Sequence, residues 1–175
     1  MNLKEHIRSI PDYPKKGILF RDITTLIKNE TAFVKCIDEI VEKSNKFNFN
    51  KIAAVEARGF VFASAISYIL KKPFILLRKK NKLPADVHSI DFELEYGTAT
   101  MEVHKDSIEP DDSVLLIDDL IATGGTSEAA GKLVEISKGK VAGFVFVINL
   151  FDLGGCDKLI KKGYKVENLI EFPGH

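Results

Sequence analysis

The chain has 175 residues, of which 45% are hydrophobic and 29% charged, a composition typical of a globular domain rather than a disordered chain. Lysine plus arginine and aspartate plus glutamate number 25 each, so the net charge is zero and gives no support for binding to nucleic acid or to an anionic membrane. The most apolar stretch, 60–70, is too short to cross a bilayer, and residues 1–10 lack the apolar core of a signal peptide. Cys36 and Cys156 lie far apart in the sequence, which suits a reducing compartment. We therefore expect one domain, 1–175, in the cytoplasm, with no nucleic-acid or membrane partner.

The first third of the chain predicts a short helix, a strand and a longer helix. Leu3, Ile7 and Ile10 have the spacing of one helix face, and two prolines end that helix. Segment 17–23 predicts an edge strand with a surface ion pair between its single cation and its single anion. Asn29 is placed to cap a helix of about four turns.

Charged residues follow the next two predicted strands. Strand 51–55 runs into a turn that carries Arg58, followed by a helix. Arg58 is either a binding residue at the carboxyl edge of the sheet, where ligands bind in open α/β folds, or the partner of Glu56. Strand 74–77 precedes four cations within 78–82, which form either a solvated loop or an anion site at the same edge.

An alternating pattern over 89–104 predicts two antiparallel strands outside the main sheet. We interpret 82–104 as a flap hairpin on the same domain. Asn81 stands just before it and tolerates a left-handed backbone, so the chain can turn sharply there.

The most informative stretch follows the flap. Val114–Ile117 predict a buried strand, Asp118 and Asp119 come next, and a loop of small residues, 122–126, leads into helix 127–137. Backbone N–H groups of such a loop and helix N-terminus can bind a phosphate, and the carboxylates can accept hydrogen bonds from hydroxyls. An ordinary strand-to-helix turn needs only one acid, whereas two adjacent carboxylates repel each other unless a ligand compensates. We therefore favour a site for a phosphorylated sugar.

Strands and helices alternate to the end of the chain, with strand 141–151, helix 156–162 and strand 164–172. This alternation predicts an α/β fold with a mainly parallel sheet and helices on both faces, to which the flap hairpin adds a small hood.

Several segments resemble the type I phosphoribosyltransferases. The strand, acid pair and Ala-Thr-Gly-Gly-Thr loop at 114–126 resemble the phosphoribosyl pyrophosphate signature of that family. Six further segments resemble its adenine phosphoribosyltransferase branch: 17–23, 56–60, 77–84, 94–97, 149–155 and 172–175. The resemblance implies purine salvage, in which 5-phosphoribosyl passes from phosphoribosyl pyrophosphate to N9 of adenine, giving AMP and pyrophosphate. It also implies a homodimer, and Mg²⁺ that is carried with the pyrophosphate rather than by a dedicated protein site.

The same resemblance implies a role for each candidate site residue. The ribose hydroxyls would be held by the catalytic acids Asp118 and Asp119. The 5′-phosphate would be wrapped by Ala122, Thr123, Gly124, Gly125 and Thr126. Pyrophosphate would meet Arg58, Arg78, Lys79 and Lys82. Adenine would be bordered by Leu19, Phe20, Leu150 and the main chain of Arg21, with Glu95 as the candidate catalytic acid or base for the purine.

Other functions stay open at this point. Hypoxanthine, guanine or xanthine would need a donor to the 6-oxo group, and Asp157 and Lys158 are close enough to segment 149–155 to keep that alternative. A regulator that senses phosphoribosyl pyrophosphate would need a nucleic-acid element, for which the ten residues before Pro11 are too few. An acid-pair phosphohydrolase usually separates its two acids by one residue, whereas they are adjacent here.

Overall fold

The computed structural model of the protein describes residues 1–94 and 96–175. Its strands are β1 (Arg8–Pro11), β2 (Leu19–Asp22), β3 (Lys51–Val55), β4 (Phe74–Lys79), β5 (Val87–Glu93), β6 (Thr98–His104), β7 (Ser113–Ile121), β8 (Lys140–Leu150) and β9 (Val166–Phe172). Its helices are α1 (Thr24–Ile27), α2 (Glu30–Ser44), α3 (Arg58–Leu70), α4 (Gly125–Ile136) and α5 (Gly155–Lys161), with short 3₁₀ helices at Leu3–His6 and Phe151–Leu153.

Seven strands of the described residues form one sheet, in the order β5-β6-β4-β3-β7-β8-β9. Strands β4, β3, β7, β8 and β9 are parallel, which confirms the predicted mainly parallel sheet. The prediction that the hairpin lies outside the main sheet is wrong, because β6 pairs antiparallel with β4 through Arg78–Glu102 and Lys79–Met101. This pairing uses backbone groups that the edge of β4 would otherwise leave unpaired.

Helices cover both faces of the sheet, as predicted. On β7, Leu115 and Ile117 belong to one hydrophobic cluster with Phe62 of α3. Leu116, between them, belongs to a second cluster with Leu133 of α4. Because side chains alternate along a strand, the two clusters lie on opposite faces of the sheet, and β7 is buried on both.

The amino-terminal segment departs from the prediction of a helix over Leu3 to Ile10. A 3₁₀ helix ends at His6, and the chain then extends as β1, which pairs antiparallel with β2 in a separate two-stranded sheet. The predicted strand within 17–23 is confirmed, but its ion pair is wrong. Asp22 pairs with Arg8 at 2.5 Å, whereas the Arg21 guanidinium donates to Ser9 Oγ and to the Pro173 carbonyl. Neighbouring residues on a strand point to opposite faces, so Arg21 and Asp22 meet different partners.

Two local predictions are confirmed. Asn29 caps α2, since its side-chain oxygen accepts a hydrogen bond from the Ala32 amide at 2.9 Å. Asn81 has a φ of +65°, the left-handed conformation expected at the turn after β4. Within the part of the chain that the structure describes, no helix combines the length and apolar character needed to span a membrane.

Candidate functional site

A cavity of about 580 Å³ opens at the carboxyl ends of β3, β4 and β7, and residues of the hairpin also line it. This edge is where open α/β sheets bind ligands, because the helices that follow the strands present their N-termini there. Ten of the predicted site residues line this one cavity: Arg58, Arg78, Lys79, Asp118, Asp119, Ala122, Thr123, Gly124, Gly125 and Thr126.

The phosphate loop, Ala122–Thr126, connects β7 to the first turn of α4. Helix α4 begins at Gly125, two residues earlier than predicted, so the end of the loop is already helical. Gly124 precedes the helix with a φ of +87°, a conformation that side chains disfavour. The first amides of a helix have no intrahelical acceptor. The loop therefore presents backbone donors and the positive end of a helix dipole to the cavity.

Gly155, at the start of α5, supports this loop from behind. Its amide donates to the Ala122 carbonyl at 3.1 Å. A Cβ at this position would clash with that same oxygen and come within 2.7 Å of Ile121 Cγ1. The sequence predicted only that the two glycines at 154 and 155 precede a helix, since local pattern does not show which loop packs against them.

The two acids end up adjacent and largely enclosed. Asp119 is 4% exposed, and its amide donates to Asp118 Oδ1 at 2.8 Å. Burial raises the pKa of the Asp118 carboxyl, and the neighbouring Asp119 carboxylate raises it further. Burial also raises the pKa of Asp119, although Arg58 acts in the opposite direction. Two carboxylates in this environment are costly when ionised, and donor hydroxyls or a cation would relieve that cost.

Arg58 does not pair with Glu56 in the described structure, so that alternative is wrong. Its Nε lies 2.7 Å from Asp119 Oδ2. The Arg58 side chain is 52% exposed and lines the cavity, so it can turn from the acid towards an anionic ligand.

The basic loop, Arg78–Lys82, begins with the last two residues of β4 and continues beyond the strand at the rim of the cavity. Glu56, which also lines the cavity, accepts a hydrogen bond from the Lys79 amide at 2.6 Å and another from an Arg78 guanidinium nitrogen at 3.3 Å. Lys82 belongs to this loop but is not among the described residues that line the cavity. Sequence reasoning considered Glu56 only as a partner of Arg58 and missed its contacts with the basic loop.

In the described structure, the residues that were expected to border adenine do not line this cavity. Among the described residues, neither Leu19, Phe20 and Arg21 of β2 nor Leu150 of β8 lines it. Phe20 adjoins it, because its ring centroid is 5.7 Å from Cζ of Arg58. Glu95 lies outside the described residues. Apolar residues of the hairpin do line the cavity and were missed, although their alternation already placed them on one face: Phe92, Leu94, Ala99 and Met101.

Comparison with known proteins identifies the family. Residues 24–173 match the phosphoribosyl transferase domain family. The chain is 75% identical over 175 residues to the adenine phosphoribosyltransferase of Pelagibacter ubique (strain HTCC1062), and the match covers 100% of both chains.

Solved structures agree. The crystal structure of adenine phosphoribosyltransferase from Thermoanaerobacter pseudethanolicus has a TM-score of 0.93 and 45% identity, covering 97% of this chain and 98% of that one. The enzyme from Saccharomyces cerevisiae has a TM-score of 0.88 and 34% identity, covering 96% of each chain. The chain therefore belongs to the adenine phosphoribosyltransferases of the phosphoribosyl transferase domain family.

Proposed function

We propose that this protein transfers the 5-phosphoribosyl group from phosphoribosyl pyrophosphate to N9 of adenine, giving AMP and pyrophosphate, and so serves purine salvage. The observation that carries this function is one cavity lined by the phosphate loop, by the acid pair and by three cations of the predicted site. Its volume suits a ligand of nucleotide size. The relative from Saccharomyces cerevisiae is complexed with adenine and an imino-altritol bisphosphate, and the one from Giardia lamblia with 9-deazaadenine, which supports adenine as the acceptor.

In this proposal the phosphate loop binds the 5′-phosphate through backbone amides, and the acid pair accepts hydrogen bonds from the two ribose hydroxyls. Asp119 is available for the ribose once Arg58 turns away from it. Positive charge develops at the anomeric carbon as the bond to pyrophosphate lengthens, and the ionised carboxylates stabilise that charge.

Arg58, Arg78, Lys79 and Lys82 bind the pyrophosphate and spread the charge that it gains on leaving. The described residues contain no group of three or more His, Cys, Asp or Glu side chains that could hold a metal. We propose that Mg²⁺ is carried with the pyrophosphate rather than by a dedicated protein site, and the hard carboxylate oxygens of Asp118 and Asp119 make the cavity compatible with it. When bound, Mg²⁺ supplies further neutralisation of the departing pyrophosphate.

Leu19, Phe20, Leu150 and the main chain of Arg21 border adenine in this proposal. Adenine N9 forms a bond to C1′ of the ribose, while the bond from C1′ to the pyrophosphate oxygen breaks and that oxygen keeps the electron pair. The proton lost from the purine passes to a general base, for which Glu95 is our candidate. The flap hairpin, 82–104 of the single domain 1–175, keeps water away from C1′ during the transfer.

We also propose that the protein works as a cytoplasmic homodimer. Helix α3 exposes Val61, Ile69 and Tyr68, the last at 86%. Leu76 is exposed on β4, on the same face as Phe74, whose ring contacts Phe60 of α3. These exposed apolar side chains offer a surface for a second copy. Sedimentation should give a dimer for the native chain and a monomer for Tyr68→Glu; a native monomer at micromolar concentration would contradict the assembly.

The two cysteines are free, which supports our proposal of a reducing, cytoplasmic location.

A purine panel tests the reaction itself. We expect pyrophosphate release with phosphoribosyl pyrophosphate and adenine, and far slower release with hypoxanthine, guanine or xanthine. Turnover of a 6-oxo purine at the adenine rate would overturn the assignment of the acceptor. Binding of phosphoribosyl pyrophosphate without release with any purine would instead favour a sensor.

A further inference from the structure

The basic loop, Arg78–Lys82, lies between two acids on neighbouring strands. Strand β4, whose last two residues begin the loop, lies between β3 and β6 in the sheet. Glu56 directly follows β3, and Glu102 is on β6, where it pairs in register with Arg78. The loop is therefore flanked by a carboxylate on each side.

Both carboxylates hold the loop through its backbone. Glu56 Oε1 accepts a hydrogen bond from the Lys79 amide at 2.6 Å, and Glu102 Oε1 accepts one from the Asn81 amide at 2.6 Å. Glu102 is only 7% exposed and the Glu56 side chain 14%. Burial would raise the pKa of Glu56, but the Lys79 amide and the Arg78 guanidinium hold that pKa below its ordinary value. Glu56 is therefore an ionised acceptor at neutral pH.

By charge alone, these two acids oppose the binding of an anion, because they offset half of the four cations in the loop. Their contribution is positional. Charge-assisted hydrogen bonds to backbone amides are stronger than neutral ones, and they restrict the conformations that the loop can adopt before its ligand arrives. The bond from Glu102 also connects the loop to the hairpin, because Glu102 belongs to β6.

We propose that Glu56 and Glu102 are positioning residues for pyrophosphate, which act by fixing the backbone of the basic loop. The inference rests on the proposed function, in which this loop binds the pyrophosphate group. Neither acid touches the ligand in this account. They affect the binding of phosphoribosyl pyrophosphate and of free pyrophosphate, and they leave the binding of adenine unchanged.

The test compares Glu102→Ala with Glu102→Gln in steady-state kinetics in both directions. Alanine leaves the Asn81 amide without its acceptor, so KM for phosphoribosyl pyrophosphate, and for pyrophosphate in the reverse reaction, should rise about tenfold, while KM for adenine stays the same. Glutamine keeps an acceptor oxygen and should keep both KM values within about threefold of the native ones. Glu171→Ala, which removes an exposed carboxylate from β9, is the matched control and should change neither.

Each result decides for or against the inference. Equal losses in Glu102→Gln and Glu102→Ala would show that an acceptor for the Asn81 amide is not what pyrophosphate binding depends on, and an equal rise in KM for adenine would show a general disturbance of the site; either result overturns the inference. If Glu102→Ala does not fold, the pair Glu56→Ala and Glu56→Gln gives the same comparison at the Lys79 amide. Failure of the proposed function is separate, since the native protein would then show no adenine-dependent release of pyrophosphate.

Discussion

The phosphate loop and the acid pair come from one continuous segment, Asp118–Thr126, whereas the residues proposed to border adenine come from separate parts of the chain. The first region presents mainly backbone amides and two carboxylates, and the Gly155 amide supports it from behind. The second depends on side chains of β2 and on the end of β8, and Phe20 adjoins the cavity beside Arg58.

The two regions should therefore lose substrate binding through different kinds of substitution. Backbone recognition tolerates many side chains but not an added atom that displaces the loop. Side-chain recognition of a base depends on the area of contact and tolerates small backbone shifts. Substitutions in the two regions should therefore change the affinities for different substrates.

The largest effect is expected where the continuous segment carries its charges. Asp118→Asn with Asp119→Asn removes both carboxylates that we propose face the ribose and the developing positive charge, so kcat should fall at least about a hundredfold. Circular dichroism should show a folded protein, because neutral amides are cheaper to bury than adjacent carboxylates. Native turnover in a folded double variant would remove the acids from the mechanism.

The next effect tests the support of the phosphate loop. Gly155→Ala adds a methyl group against the Ala122 carbonyl, and overpacking against backbone costs about 1–3 kcal/mol, so KM for phosphoribosyl pyrophosphate should rise about tenfold or more. KM for adenine should stay near its native value. Cys156→Ala, one position further along α5, adds no atom and is the control. An unchanged KM for phosphoribosyl pyrophosphate would show that the loop does not depend on α5.

Phe20→Ala is the corresponding substitution among the residues proposed to border adenine. Contact between an aromatic ring and a base contributes about 1–3 kcal/mol, so KM for adenine should rise about tenfold, with KM for phosphoribosyl pyrophosphate unchanged. Isothermal titration with each substrate checks the split directly. If both affinities fell together, the division of the site into two independently built regions would be wrong.

The smallest effects are on stability and depend on pH with opposite signs. The pKa values of Asp118 and Asp119 are raised above 3.8 by folding, so their ionisation lowers the free energy of unfolding as pH rises from about 4, and the double Asn variant should lose this dependence. Glu128 is the counterpart: hydrogen bonds from Lys162 and Lys158 lower its pKa from 4.5 to about 2.

Glu128 should therefore stabilise the fold above pH 4.5, and that contribution should disappear as pH falls towards 2. Glu128→Gln should cost about 1 kcal/mol at pH 7 and nothing at the acid end, as measured by urea unfolding across pH. If the free energy of unfolding of Glu128→Gln differed from that of the native protein by the same amount at all pH values, the proposed stabilisation of ionised Glu128 by Lys158 and Lys162 would be wrong.

The two regions also differ in how far the sequence predicts them. The strand, acid pair, loop and helix around Asp118–Thr126 follow one another along the chain, so local pattern was sufficient, and the left-handed Asn81 could be predicted in the same way. The pairing of β6 with β4, the contact of Arg58 with Asp119 and the position of Gly155 behind the phosphate loop depend on which strands become neighbours. Local pattern does not contain that order.

The amino-terminal segment shows the same limit. The spacing of Leu3, Ile7 and Ile10 fits one face of a helix, yet the chain extends at Arg8 because β2 offers a strand to pair with. That pairing also brings Arg8 to Asp22 and Ser9 to Arg21. Arg21 donates in addition to the Pro173 carbonyl, near the other end of the sequence.

A crystal structure of the protein with AMP would show directly whether the phosphate loop and the acid pair bind the nucleotide. We expect the 5′-phosphate within hydrogen-bond distance of the amides of Thr123–Thr126 and the ribose hydroxyls against the carboxylates of Asp118 and Asp119, with Arg58 turned away from Asp119. Nucleotide bound elsewhere, or bound here in the reverse orientation with the base over the phosphate loop, would contradict the account.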